Sequence, residues 1–187
     1  KGIIFMKKFL LILCTLIFLG FNQVGFAQQY TNYDYNFTIN FPDGWKINEV
    51  NNPNDKNGFN IKASIKTNDL FGIILVYPKV ENIGTEGATP DNSLTAWDRK
   101  KVLDEMIQGV KDRNSNTVIT YSGYEKFRNN GFLILKTQEP PYQNKTFRVT
   151  YANTFIGGTS FFIVFMTLGD NTYWNEFSNT LNSLSTL

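Results

Sequence analysis

Tyr35, Phe37, Ile39 and Phe41 alternate with Asn36, Thr38 and Asn40, the period of two that gives a strand one buried face. Pro42-Asp43-Gly44 follows as a turn, because Pro presets φ and Gly accepts positive φ. Trp45 to Val50 reads as a second short strand, and Asn51 to Gly58 as a polar loop ending in Asn57-Gly58. Phe59, Ile61, Ala63 and Ile65 alternate with Asn60, Lys62, Ser64 and Lys66, so this strand has one wet face and is expected near a sheet edge. Phe71 to Tyr77 and Phe161 to Met166 are apolar at nearly every position. Such runs fit strands buried on both faces, so the sheet needs a cover on each side at its centre.

Two segments carry helical periodicity and can supply covers. From Ser93 to Lys111, Val102, Leu103, Met106, Ile107 and Val110 share one arc at 100° per residue. Asp98, Lys101, Asp104, Glu105, Gln108 and Asp112 share the opposite arc. From Tyr173 to Ser185, the residues Tyr173, Trp174, Phe177, Leu181 and Leu184 make a narrow stripe, with Asp170, Asn171 and Thr172 as N-cap candidates. Further strands are expected over 118–127, 132–138 and 146–155. Gly157-Gly158 gives a tight hairpin, Asn130-Gly131 another turn, and Pro140-Pro141-Tyr142 interrupts pairing in a longer hairpin loop. The order strands, helix, strands, helix with many hairpins predicts an α+β domain with a mainly antiparallel central sheet flanked by helices, an α/β/α sandwich.

The N-terminal segment changes the domain count. Lys7 and Lys8 follow Met6, an apolar run spans 9–21, and Gly25-Phe26-Ala27 sets small residues at the −3 and −1 positions before Gln28. This is the pattern of a cleavable export signal, cut between Ala27 and Gln28. The run is too short to cross a bilayer comfortably, so residues 1–27 are expected to leave and 28–187 to form one domain, periplasmic or secreted. Cys14 sits inside the apolar run, after Leu13 where a lipobox needs a small residue, and reads as an ordinary leader residue. Residues 28–187 then hold no thiol, and with Lys1, Lys7 and Lys8 removed the net charge moves from +2 to −1. No basic field is left for nucleic acid or an anionic membrane.

The chain contains no histidine. Ser-His-Asp and Cys-His triads, histidine general bases and the usual zinc sites are therefore excluded. No phosphate loop, Ser-x-x-Lys or Gly-x-Ser-x-Gly occurs. Asp55-Lys56-Asn57-Gly58 begins like a calcium loop, but Pro53 cannot supply the preceding side-chain ligand, so a turn is expected and neither metal nor cofactor. A glycosidase needs two carboxylates across a cleft, and Glu81, Glu86, Asp91, Glu125 and Glu139 form no pair in the sequence. The formal glycosylation triplets at Asn36 and Asn144 are read as chance. Aromatic residues make up 16% of the chain, and most fall on core faces. Trp97 does not: it falls in the charged arc beside Lys101, as an anchor for a partner, beneath the loop over 79–90, or ahead of a helix that begins later. Trp97, Lys101 and the loop residue Tyr142 are the candidate binding residues, with no catalytic residue among the candidates.

The opening segment Tyr35-Asn36-Phe37-Thr38-Ile39-Asn40-Phe41-Pro42-Asp43-Gly44-Trp45-Lys46-Ile47 resembles that of the PsbP-like (Mog/PsbP) superfamily, with its aromatic-aliphatic strand, Phe-Pro and following Trp. The element order over 30–187 is similar as well. The resemblance implies a central antiparallel sheet between helices, and structural roles for Phe41, Pro42 and Trp45. Family members include a photosystem II subunit, a Ran-binding import factor and exported bacterial proteins of unassigned role, chiefly binding and assembly proteins. The expected function is thus a non-enzymatic exported domain that binds a protein partner or assembles in an envelope complex. A small-ligand or glycan-binding module is the alternative, and a carboxylate hydrolase a third reading. Fold does not decide among them.

Overall fold

The computed structural model describes residues 27–51, 59–66, 71–80, 96–142, 144–169 and 173–187. The expected leader before Ala27, the loop over 52–58, the carboxylates Glu81, Glu86 and Asp91, and the N-cap candidates at 170–172 lie outside the described residues, as do the side chains of Ala96 and Trp97. Among the described residues, ten strands and two helices are seen in the order β1 (Gln28–Asn32), β2 (Phe37–Phe41), β3 (Lys46–Asn51), β4 (Phe59–Lys66), β5 (Phe71–Val80), α1 (Ala96–Arg113), β6 (Val118–Phe127), β7 (Asn130–Tyr142), β8 (Lys145–Ile156), β9 (Thr159–Leu168), α2 (Trp174–Ser183) and β10 (Ser185–Thr186). Seven strands form one antiparallel sheet in the order β3-β4-β5-β9-β8-β7-β6, and β1, β2 and β10 form a second small sheet. The fold is therefore α+β and mainly antiparallel.

The two double-sided apolar runs pair with each other inside the large sheet: Ile74 faces Phe165 and Val76 faces Ile163 across β5 and β9. Side chains alternate between faces, so one face receives Ile74, Val76, Phe161, Ile163, Phe165, Phe132 and Ile134. These pack on Phe37, Ile39 and Phe41 from β2 and on Phe177, Leu181 and Leu184 from the closing helix. Phe161, Ile163 and Ile134 are 0% exposed, so this face is dry. Its cover differs from the helix expected from the sequence: β2 and its small sheet share the work with α2. The reason is local. Phe37-Thr38-Ile39-Asn40-Phe41 alternates strictly, and β1 and β10 satisfy its two edges.

Several boundaries also depart from the sequence reading. Trp45 precedes β3 and belongs to the turn, where its N–H donates to the Pro42 carbonyl at 3.3 Å. β4 does lie near the sheet edge, one strand in from β3. The turn between β6 and β7 is Arg128-Asn129, with Arg128 at φ 55°, not Asn130-Gly131. Gly131 instead lies in β7 under Tyr124, where a Cβ would sit 2.3 Å from the phenol oxygen. Pro140 and Pro141 do interrupt the β7–β8 register, between Glu139 and Tyr142. The closing helix ends at Ser183, because Ser185 and Thr186 pair with Thr38 and Phe37.

Polar fastenings also join the layers. The Tyr30 hydroxyl on β1 donates to Glu49 Oε1 on β3 at 2.7 Å and accepts from Asn32 Nδ2 at 3.1 Å. The Lys136 ammonium on β7 lies 3.8 Å from the Trp174 ring centre and 3.5 Å from Glu125 Oε1, which ties the start of α2 to β6 and β7.

Two tests follow from this packing. A Cβ at Gly72 would meet Trp45 Cη2 at 2.8 Å, and Trp45 is only 4% exposed. Gly72→Ala is expected to lower stability by about 1–3 kcal/mol, the usual overpacking penalty, read as the midpoint of urea unfolding; an unchanged or higher midpoint would contradict the contact. Burial, reinforced by Glu49 and opposed by Asn32, raises the Tyr30 phenol to about 12 from 10.0. An unfolded tyrosine ionises first, so the unfolded chain binds fewer protons between pH 10 and about 12 and stability falls as pH rises through that window. Tyr30→Phe is expected to flatten that fall in alkaline melts, and an unaltered slope would count against it.

Candidate functional site

The other face of the large sheet is covered differently. It presents Leu75 and Tyr77 from β5, Phe162, Val164 and Met166 from β9, Phe147, Val149 and Tyr151 from β8 and Leu135 from β7. The stripe of α1 that includes Met106, Ile107 and Val110 packs on this face, as the helical periodicity predicted, and its charged arc at Lys101, Asp104, Glu105 and Gln108 is exposed. The helix lies over β6 and β7. A helix with its side chains is about 10–12 Å wide, and strands lie about 4.8 Å apart, so one helix covers two or three strands of seven. Leu75, Tyr77, Phe147, Phe162 and Met166 consequently stay half-buried.

The result is a half-open cleft of about 800 Å³ between α1 and the sheet, lined by these side chains with Met106, Gly109 and Val110 from the helix. Three aromatic rings form a continuous wall: Tyr151 stacks on Phe162 at 6.0 Å between centres, and Phe162 meets Tyr77 at 6.3 Å. Size and lining fit the concave, mostly apolar sites that take small molecules.

Polar groups collect where the helix ends. Arg113 Nη2 donates to the Tyr151 hydroxyl, and the guanidinium carbon lies 5.7 Å from that ring centre. Asn114 and Glu139 also line the cleft. Glu139 accepts from the hydroxyls of Thr117 and Thr137. Lys111 Nζ donates to the Thr117 carbonyl at 2.6 Å and so pins the turn after α1. Burial pushes the Tyr77 phenol above its ordinary value. Burial also raises the Tyr151 phenol, with Arg113 opposing and Glu139 adding, so both stay neutral hydrogen-bonding groups at ordinary pH.

Of the three candidate binding residues, Lys101 lies exposed on the outward arc of α1, and Tyr142 is 59% exposed at the β7–β8 hairpin. The backbone of Trp97 is in the first turn of α1. Trp97 and Lys101 stand one turn apart on α1, and the structure places Tyr142 away from both. Arg99 lies on Tyr124 at one end of α1, while Arg113 reaches Tyr151 at the other, about 20 Å away at 1.5 Å per residue. Lys101 belongs to the first end and Tyr142 to the second. Among the carboxylates considered for catalysis, Glu125 pairs with Lys136 and Glu139 with two threonines, and no group of three potential metal ligands converges among the described residues. Apart from Glu139, weighed as a carboxylate, the cleft residues were not singled out by sequence reasoning. Each aromatic looked like core, and only a count of covers against strands exposes the deficit.

No protein-family model and no curated protein matches this sequence. Solved structures do match. A crystal structure from Bacteroides thetaiotaomicron shares 12% identity with a TM-score of 0.53; the match covers 85% of this chain and 48% of that one, so the chain spans about half its length. The solution structure of cyanobacterial PsbP (CyanoP) from Synechocystis shares 13% identity with a TM-score of 0.52, over 90% of this chain and 96% of that one. The near end-to-end match to CyanoP agrees with the resemblance carried by the opening motif, and the chain has a PsbP-like fold.

Proposed function

We propose that this is an exported, non-enzymatic binding domain whose working element is the cleft between α1 and the sheet. The occupant is an elongated apolar molecule that ends in a hydrogen-bond acceptor. The single observation that carries this reading is the half-buried apolar wall of Leu75, Tyr77, Phe147, Phe162 and Met166 with Arg113 at one end. An apolar chain would bury those surfaces, at about 25 cal/mol per Å², and an acceptor would use the guanidinium N–H groups not given to Tyr151. A concave site of this kind favours the small-ligand reading over a flat protein interface. Export is supported by the leader pattern ending at Ala27, and non-enzymatic action by the lack of histidine and of cysteine after Cys14.

Protein binding is the second reading, and a separate feature favours it. Tyr142 and Val118 are 59% and 57% exposed, and both lie near the same end of the large sheet. Exposed aromatic and apolar groups at a sheet end suit a partner surface.

Leu75→Glu places a charge on the half-exposed wall without emptying the core. Titration with anilinonaphthalene sulfonate and with straight-chain carboxylates of increasing length is expected to show saturable binding to the native chain, tightening with chain length. The variant should bind about tenfold or more weakly, a loss of at least about 1.4 kcal/mol, with little change in thermal midpoint. Equal binding by both chains would remove the cleft from consideration.

A further inference from the structure

A second hollow, of about 520 Å³, lies between the Pro42–Trp45 turn and α2. Among the described residues its lining contains two carboxylates, Asp43 and Glu176, three aromatic side chains, Phe41, Trp45 and Tyr173, and neither lysine nor arginine. The Trp45 and Tyr173 rings meet edge to face at 5.6 Å. Asp43 Oδ1 accepts from the Gly44 N–H at 2.9 Å. Glu176 is different: its Oε2 is buried and has no hydrogen-bond partner. Glu176 stands in the first turn of α2, at the positive end of the helix dipole. A buried carboxylate oxygen without a donor is costly, and a cationic N–H is the strongest donor that relieves it.

Ala27 lines the same hollow. Gln28 pairs with Phe41 in the β1–β2 ladder, which holds Ala27 beside the Pro42 turn. The bond between Ala27 and Gln28 is the one that the small-residue pattern marks for leader removal. A leader peptidase adds water across that bond, leaving a carboxylate on departing Ala27 and an ammonium on Gln28. We propose that the hollow at Glu176 is the seat of the ammonium that processing creates, so that cleavage supplies the cation this carboxylate lacks. The idea rests on the export reading. It has a chemical consequence. A free amino-terminal glutamine cyclises when its neutral amine attacks its own side-chain amide carbon, forming a C–N bond and expelling ammonia. An amine held protonated against Glu176 has no lone pair to attack with.

Mass spectrometry of the chain recovered from the cell envelope separates the two ideas. A terminus at Gln28, intact or cyclised, upholds the export reading; any other terminus overturns both. On the processed chain, NMR titration should place the Gln28 amino group about one unit above the ordinary value near 8, because an opposite charge favours the protonated form. Glu176→Gln should return it to the ordinary value and speed ammonia loss several-fold, and acetylating the terminus should lower the melting temperature of the native chain but not of the variant. An ordinary amino-group value in the native chain overturns the seat whether or not the variant folds, and so do equal cyclisation rates.

Discussion

The structure depends on a pair of neighbouring strands that are apolar on both faces. β5 and β9 lie side by side in the large sheet, and neither face of the pair can be left to water without cost. Everything else is arranged to answer that demand, and it answers unequally. On one side the small sheet and α2 interlock with the large sheet around stacked rings such as Phe165 and Phe177, 4.7 Å apart. On the other side one helix lies over β6 and β7, toward the sheet edge, and the apolar rows on β5, β9 and β8 run out beyond its reach. Among the described residues, the cleft is the geometric remainder of covering seven strands with one helix.

Much of this was legible in the residues. Val118 to Phe127 was read as a strand to the residue, because turn-forming neighbours bound it at both ends. The apolar stripe of α1 and the Gly157-Gly158 hairpin, at φ 56° and 80°, were equally clear. β1 was not legible: Gln28–Asn32 carries one large apolar side chain and no alternation, and pairs only because β2 offers an edge. β10 is two residues long and read as the end of a helix. Asn130-Gly131 looked like a turn, but glycine is needed there for the close approach of Tyr124. The cleft was hidden for a deeper reason. Phe161 and Phe162 are identical and adjacent in sequence, and what makes one core and the other a wall is the element lying above each.

The PsbP-like fold is shown by structural likeness at 12–13% identity, which carries architecture and nothing of activity. The functional reading therefore stands on this chain's own surfaces. Its polar cluster at the end of α1 combines the Tyr151 phenol, the hydroxyls of Thr117 and Thr137, the Glu139 carboxylate and the Arg113 guanidinium.

The central claim, one sealed face and one unsealed face of the same sheet, is tested most directly by comparing Phe161→Ala with Phe162→Ala in urea unfolding. Phe161 is fully buried against Phe37, 5.0 Å between ring centres, whereas Phe162 lines the cleft. The account expects the first change to cost about 3–5 kcal/mol, as for a sealed core phenylalanine, and the second to cost less than half as much. Equal losses would mean that both faces are sealed alike and that the cleft is not an open site.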